Sequence, residues 1–368
     1  MGSSLSPSKR KSSSSCRVDR VEASARTIAT DEPESDGTLE WDSTTIVIVQ
    51  AFAGDVVGLG YTYTHDAAVR LIEDKLAPVA RGLDVERDLK RAWHEMGDLL
   101  RNVGRPGMGF MALSAVDIAL WDLKARLLER PLVDVLGAAR EDVPVYGSGG
   151  FTSYSLERIA EQLAGWASQG IDAVKIKVAR SPEDDPGRLD AARGAIGDDV
   201  ALFVDANGAF DRDDAIAWGK RYHEDWGVNW FEEPVSSADF EGLRAVRERI
   251  QPDVAAGEYG FVPADFRNLL DAGAVDCLQI DVTRAGGYTG FLRAAALAAD
   301  YGFEISAHCA PQASAHACCA VPHARHIEYF HDHVRVEEMV FDNVLVPQGG
   351  KLRPDRSRAG HGLELKAA

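Results

Sequence analysis

Three acids recur at regular distance along the chain: Asp205 in ALFVDANG, Glu232 in NWFEEP and Glu258 in DVAAGE, 27 and 26 residues apart. Each closes a short run of apolar residues, the pattern of a buried parallel strand that ends at a reactive face. Carboxylates converging from neighbouring strands are costly to bury unless ammonium groups or a cation neutralise them. Three oxygen ligands that leave positions open for water or substrate suit octahedral Mg²⁺, and no thiolate stands in the set to favour zinc. One such acid alone would be read as a surface charge at a loop end; three at equivalent positions argue against that. In IDAVKIKV, Lys175 and Lys177 are two residues apart and so share a strand face, as Asp205 and Asn207 do in the next strand. These residue types together predict a cation site with bases beside it. Asp281, His308 and Glu328 close three further apolar runs of the same kind.

The elements that must position these groups follow from the pattern after residue 143, where short apolar strand, polar loop and helix repeat. Strands are expected at 143–148, 173–178, 201–207, 230–234, 253–258, 277–282, 304–309 and 326–330. Eight strands spaced by one helix each fit a run of βα units closing into a barrel, whose reactive groups gather at the C-terminal strand ends. Upstream, residues 17–27 and 43–64 read as strands, the second a hairpin turning at Ala53, Gly54 and Asp55. The polar, turn-rich TDEPESDGTLEW between them reads as a mobile loop. Helical periodicity follows at 66–82, 86–103 and 110–130. The division expected is a Ser-rich basic disordered tail over 1–16, an α+β capping domain over 17–135, a barrel over 140–330, and a segment over 331–368 that packs back on the cap.

With KIK at 175–177, DAN at 205–207, FEEP at 231–234, AGE at 256–258, QID at 279–281, SAH at 306–308 and IEY at 327–329, the chain resembles the enolase superfamily, in its mandelate racemase subgroup. The resemblance implies an α/β fold, a modified TIM barrel of (β/α)₇β type under an N-terminal α+β capping domain. It implies Mg²⁺ on Asp205, Glu232 and Glu258, the first acid of FEEP being the ligand. It also implies abstraction of the proton α to a carboxylate through an enediolate. Lys177 would be the base on one face, with Lys175 and the Mg²⁺ lowering its pKa and Lys175 attracting the substrate carboxylate. His308, oriented by Asp281, would be base or acid on the other face. Glu328, kept protonated, would donate a hydrogen bond to the substrate carboxylate. Asp281 stands where the muconate-lactonising subgroup has a lysine. Lys-plus-His-Asp patterns point to dehydration of an acid sugar, aldonate or aldarate, to a 2-keto-3-deoxy acid. Racemisation or epimerisation of a 2-hydroxy acid is the runner-up, and a silent Mg²⁺-binding barrel would have lost Lys177 or His308, which are both present.

Substrate contacts are expected from Lys175, Asn207 and the aromatic residues Trp41, Tyr61 and Tyr63 of two lid segments, 30–42 and 58–66; the aromatics fit cap-on-barrel packing equally well. The histidines His316, His323, His326, His331 and His333 lack tidy ligand spacing and read as solvated or capping. AGGYTG at 285–290 reads as a turn into a barrel helix rather than a phosphate loop. A formal charge of −18 argues against nucleic-acid binding, and no apolar run approaches a membrane span. MGSSLS matches a myristoylation pattern that nothing else in the sequence supports. The partner expected is a small carboxylate, the assembly a homo-oligomer and the compartment the cytoplasm, with its five cysteines reduced.

Overall fold

The runs TTIVIVQAF and VVGLGYTYT, joined by a Gly-containing turn, form the antiparallel hairpin their alternation predicts. In the computed structural model, which describes residues 16–367, they are β2 (Glu40–Ala53) and β3 (Val56–Tyr63), with β1 (Arg20–Ser35) along the outer edge of β2. The tail expected over 1–16 and the MGSSLS pattern fall, Cys16 apart, outside the described residues. Period two divides β2 between two cores: Ile46 and Ile48 join the barrel core, Val47 and Val49 the cap core. The cap core is closed by the helix Phe110–Leu127. That helix lies so close to β3 that a Cβ on Gly60 would come 2.2 Å from the Ala115 carbonyl oxygen.

The expected mobile loop is instead strand. β1 runs on to Ser35 and pairs Glu34 with Trp41 beyond a register shift after Ala29, so residues 30–41 form an arm with only a short turn at its tip. Its polar composition reads as loop in isolation, yet the barrel supplies partners for its side chains and its carbonyls. Ser35 and Thr152 are hydrogen-bonded side chain to side chain at 2.5 Å, the Ser153 hydroxyl donates to the Pro33 carbonyl at 2.6 Å, and the Arg180 guanidinium donates to the Leu39 carbonyl at 3.0 Å.

The barrel is a closed ring of eight parallel strands: β4 (Val143–Gly149), β5 (Ala173–Lys177), β6 (Ala201–Asp205), β7 (Val228–Glu232), β8 (Asp253–Ala256), β9 (Cys277–Ile280), β10 (Glu304–Ala307) and β11 (Ala324–Phe330), which pairs back with β4. Helices between the strands cover the outside. The register aligns Lys177 with Asp205, Asp205 with Glu232, and Glu232 with Ala255, a single row across four strands. Below this row, Tyr146, Phe203, Trp230 and Cys277 pack with Ala255 to plug the interior. After the helix His331–Val340, the chain adds a two-residue strand, Lys351–Leu352, antiparallel to β4. It then meets the cap helix, where His361 N–H donates to Asp122 at 2.8 Å and Arg126 pairs with Glu364 at 2.7 Å.

Candidate active site

Period two carries Lys175 and Lys177 to the barrel interior, where both are buried. Lys177 Nζ donates to Asp205 Oδ2 at 2.5 Å; Lys175 Nζ donates to Glu232 Oε1 at 2.5 Å and lies 2.8 Å from Glu328 Oε1. Asp205, Glu232 and Glu258 each offer an oxygen within 4.8 Å of the others, and all three are buried. Glu258 comes from the turn after β8. Gly257 there has φ 135°, and a Cβ on it would meet the Gln279 carbonyl oxygen at 2.2 Å, so this turn requires glycine. On the far side of the acids, His308 Nδ1 is 2.8 Å from Asp281 Oδ2, whose Oδ1 accepts the Thr283 N–H at 2.6 Å and hydroxyl at 2.7 Å. His308 Nε2 lies 3.3 Å from Glu258 Oε2. The strand order therefore sets the three acids in an arc, with Lys177 bonded to the first and His308 beside the third.

Above them is a cavity of about 260 Å³. Lys177, Asn207, Glu258, His308 and Glu328 line it, as does Trp41 from the arm. Lys175, Asp205 and Glu232 lie behind its wall, so Lys175 holds two acids instead of facing the space where substrate was expected. Tyr61 and Tyr63 are not in the lining either. Tyr61 donates to Glu337 at 2.6 Å, and Tyr63 stacks on His333 with centroids 3.4 Å apart; both fasten the cap to the barrel, because β3 is a paired strand and not a lid. Arg284, Tyr259, Asp36, Thr44, Cys309 and His333 line the cavity without having been singled out for it. Arg284, three residues past Asp281, lies 3.3 Å from both Asp281 Oδ2 and Glu258 Oε1, and its guanidinium stacks over Tyr259.

The charges of the protein's own side chains, taken alone, run against two expectations. Burial alone would push the Lys177 ammonium down and Lys175 adds to that, but the Asp205 carboxylate, with Glu328 and Glu232, prevails and holds Lys177 well above the usual lysine value. Glu328 was expected to stay protonated. Burial favours that, but Lys175, His308 and Lys177 hold it well below the usual carboxylate range, and it accepts from the Ser148 hydroxyl at 2.6 Å and the Cys309 N–H at 3.1 Å. His308 is raised: burial opposes its charge, but Glu258 and Glu328 outweigh it. Burial pushes Glu232 up to about 7 in spite of Lys175. Alternation along a strand would turn Glu233 away from Glu232, yet it is also buried and is raised by burial and by the charge of Glu258. It stands just past β7 at φ 37°, where period two no longer applies. Asn207 (47°), Cys309 (49°) and Ala310 (43°) share this left-handed conformation after the strand ends, a strain that functional sites concentrate. The histidines read as solvated are in part buried: burial pushes His316, His326 and His333 down to about 3, and they remain neutral.

The acid triad fits a divalent cation. Its donors are all carboxylate oxygens, and Glu258 Oε2 and the neighbouring Glu233 Oε1 and Asn207 Oδ1 have no hydrogen-bond partner, which a bound cation and its water would answer.

Residues 26–137 match the mandelate racemase/muconate lactonizing enzyme N-terminal domain, and residues 158–368 match the enolase C-terminal domain-like family. The chain belongs to the mandelate racemase/muconate lactonizing enzyme family. A solved member, a mandelate racemase/muconate lactonizing enzyme-like protein from Rubrobacter xylanophilus, is 55% identical with a TM-score of 0.93, covering 95% of this chain and 97% of that one. The 3,6-anhydro-alpha-L-galactonate cycloisomerase of Streptomyces coelicolor is 34% identical over 84% of this chain and 85% of its own length. The L-talarate/galactarate dehydratase of Salmonella typhimurium is 33% identical over 74% of this chain and 69% of its own. Its structure, liganded with Mg and L-lyxarohydroxamate, has a TM-score of 0.87 and covers 99% of this chain and 95% of that one. Family members similar to this chain thus include acid-sugar enzymes, dehydratases among them. Among the described residues, no helix is long and apolar enough to cross a membrane.

Proposed function

We propose that this protein is a Mg²⁺-dependent dehydratase of an acid sugar, an aldonate or aldarate, yielding a 2-keto-3-deoxy acid. The observation that carries the reading is the acid triad bracketed by Lys177 and by the His308–Asp281 pair. Mg²⁺ held by Asp205, Glu232 and Glu258 would supply stabilisation of the negative charge that grows on a substrate carboxylate as its α proton leaves. Lys177, its partner Asp205 then neutralised, faces the like charge of Lys175 and can take that proton. His308, raised by its acidic neighbours and held by Asp281, gives its proton to the departing β-hydroxyl, which leaves as water. The enol that remains becomes the 2-keto acid. Trp41 and Arg284 close the cavity over the substrate and exclude water.

A second reading, epimerisation or cycloisomerisation, draws on the same two-sided placement of Lys177 and His308 and on the similarity to the Streptomyces cycloisomerase. Incubation with a library of aldonic and aldaric acids plus Mg²⁺ separates the two. A semicarbazide-reactive 2-keto acid, absent with Lys177→Ala and His308→Ala, is expected. Solvent deuterium entering the α position with no keto product overturns the dehydratase and leaves the isomerase.

A further inference from the structure

The arm carries a second group of ligand-type side chains. Asp31 and Glu34, from β1, and His331, the first residue after β11, bring three possible ligand atoms within 4.8 Å of one another. His331 Nε2 lies 3.0 Å from Asp31 Oδ2 and 3.2 Å from Oδ1. Glu34 is fully buried; its Oε2 accepts the Trp41 indole N–H at 2.8 Å, and its Oε1 has no partner. Beside them the Tyr154 ring, 5% exposed, lies under the Arg158 guanidinium, and the charges of Glu34 and Asp31 outweigh that of Arg158 at its hydroxyl. Unanswered buried polar atoms are rare and call for a partner such as an ion.

The charges around the cluster favour a cation. Asp31, Glu32, Glu34 and Asp332 stand against two guanidinium groups: Arg158, which donates to Asp31 at 3.1 Å and lies 3.2 Å from Glu32, and Arg335, which donates to Asp332 at 2.7 Å. The Thr44 hydroxyl donates to the other Asp332 oxygen. We infer that Asp31, Glu34 and His331 form a second divalent-cation site, distinct in every ligand from the acid triad. Two carboxylates and an imidazole select a first-row ion such as Zn²⁺ or Mn²⁺ over Mg²⁺, which prefers oxygen alone. The ion pins the arm to the end of the last barrel strand. Through the Glu34–Trp41 hydrogen bond it also fixes one wall of the cavity.

The test uses the full-length protein saturated with Mg²⁺ and titrated with Zn²⁺ in a calorimeter. One Zn²⁺ per chain is expected, weakened at least tenfold by His331→Ala and by Glu34→Gln. The pair Asp205→Asn and Glu232→Gln is expected to abolish Mg²⁺ binding and leave Zn²⁺ binding within twofold, so failure of the triad and failure of this site are told apart. Zinc-edge X-ray absorption of the Mg²⁺-saturated parent, which needs no variant to fold, should show one imidazole among oxygen ligands. No Zn²⁺ uptake, uptake indifferent to His331→Ala, or a sulfur or multi-imidazole shell overturns the proposal.

Discussion

Replacing Asp281 with asparagine tests the His308 assignment without changing volume. The Thr283 N–H and hydroxyl both need an acceptor at the Oδ1 position, so the carbonyl of the new amide must sit there and its NH₂ must face His308 Nδ1 and Arg284 Nε. A donor facing Nδ1 forces the imidazole proton onto Nε2 and withdraws the carboxylate that supported the imidazolium. A charge-assisted hydrogen bond of this kind contributes about 1.5–3 kcal/mol. If that is lost when His308 must act as acid, kcat falls roughly 10- to 100-fold. The sign of the pH effect also follows. His308 is raised in the parent, partly by Asp281, so removing that support lowers its pKa, and the alkaline limb of the kcat profile, where His308 loses its proton, moves to lower pH. The assay is 2-keto acid release from whichever sugar acid the library yields, followed across roughly pH 6–10 with a parallel thermal melt. An unmoved alkaline limb with kcat within twofold of the parent would refute the role given to the pair.

Stripping divalent ions should abolish turnover and lower the melting temperature, and restoring Mg²⁺ to about 100 times its Kd should return about 2.7 kcal/mol of stability. Glu232→Gln should lose most of that gain, and a melt indifferent to Mg²⁺ would contradict the triad. Gly257→Ala should destabilise by about 1–3 kcal/mol and cut Mg²⁺ affinity, because the new methyl meets the Gln279 carbonyl in a backbone conformation alanine avoids; unchanged melting and binding would refute it. Trp41→Ala should raise KM more than it lowers kcat, since the ring walls the cavity and its indole N–H is bonded to Glu34 and not to Lys177 or His308; a loss confined to kcat would count against that placement.

The barrel is legible in the sequence because its strands are buried on both faces, so apolar runs ending in charge mark both the strand and its reactive end. Asp205, Glu232, Glu258, Asp281, His308 and Glu328 are all readable in that way. The arm is not, because DEPES has the composition of a loop, and it pairs with Glu40 and Trp41 while seated on partners such as Thr152 and Ser153, more than a hundred residues away. Arg284 and Tyr259 escape because they come from turns beyond the strands, where alternation gives no direction. Glu233 is misplaced by alternation for the same reason, its positive φ turning it back among the acids. The protonation states of Lys177 and Glu328 depend on which ammonium meets which carboxylate, a matter of register that a lone strand does not disclose.

The Ser148–Glu328 hydrogen bond joins the first barrel strand to the last, and the arm meets His331 across 300 residues of chain. During synthesis, a polypeptide still missing everything from Glu328 onward has no closed ring and lacks the His331 contact of the arm, however well its earlier strands have folded. Catalytic competence therefore waits on Glu328 and the residues around it, and products truncated before them are expected to be inert instead of partly active.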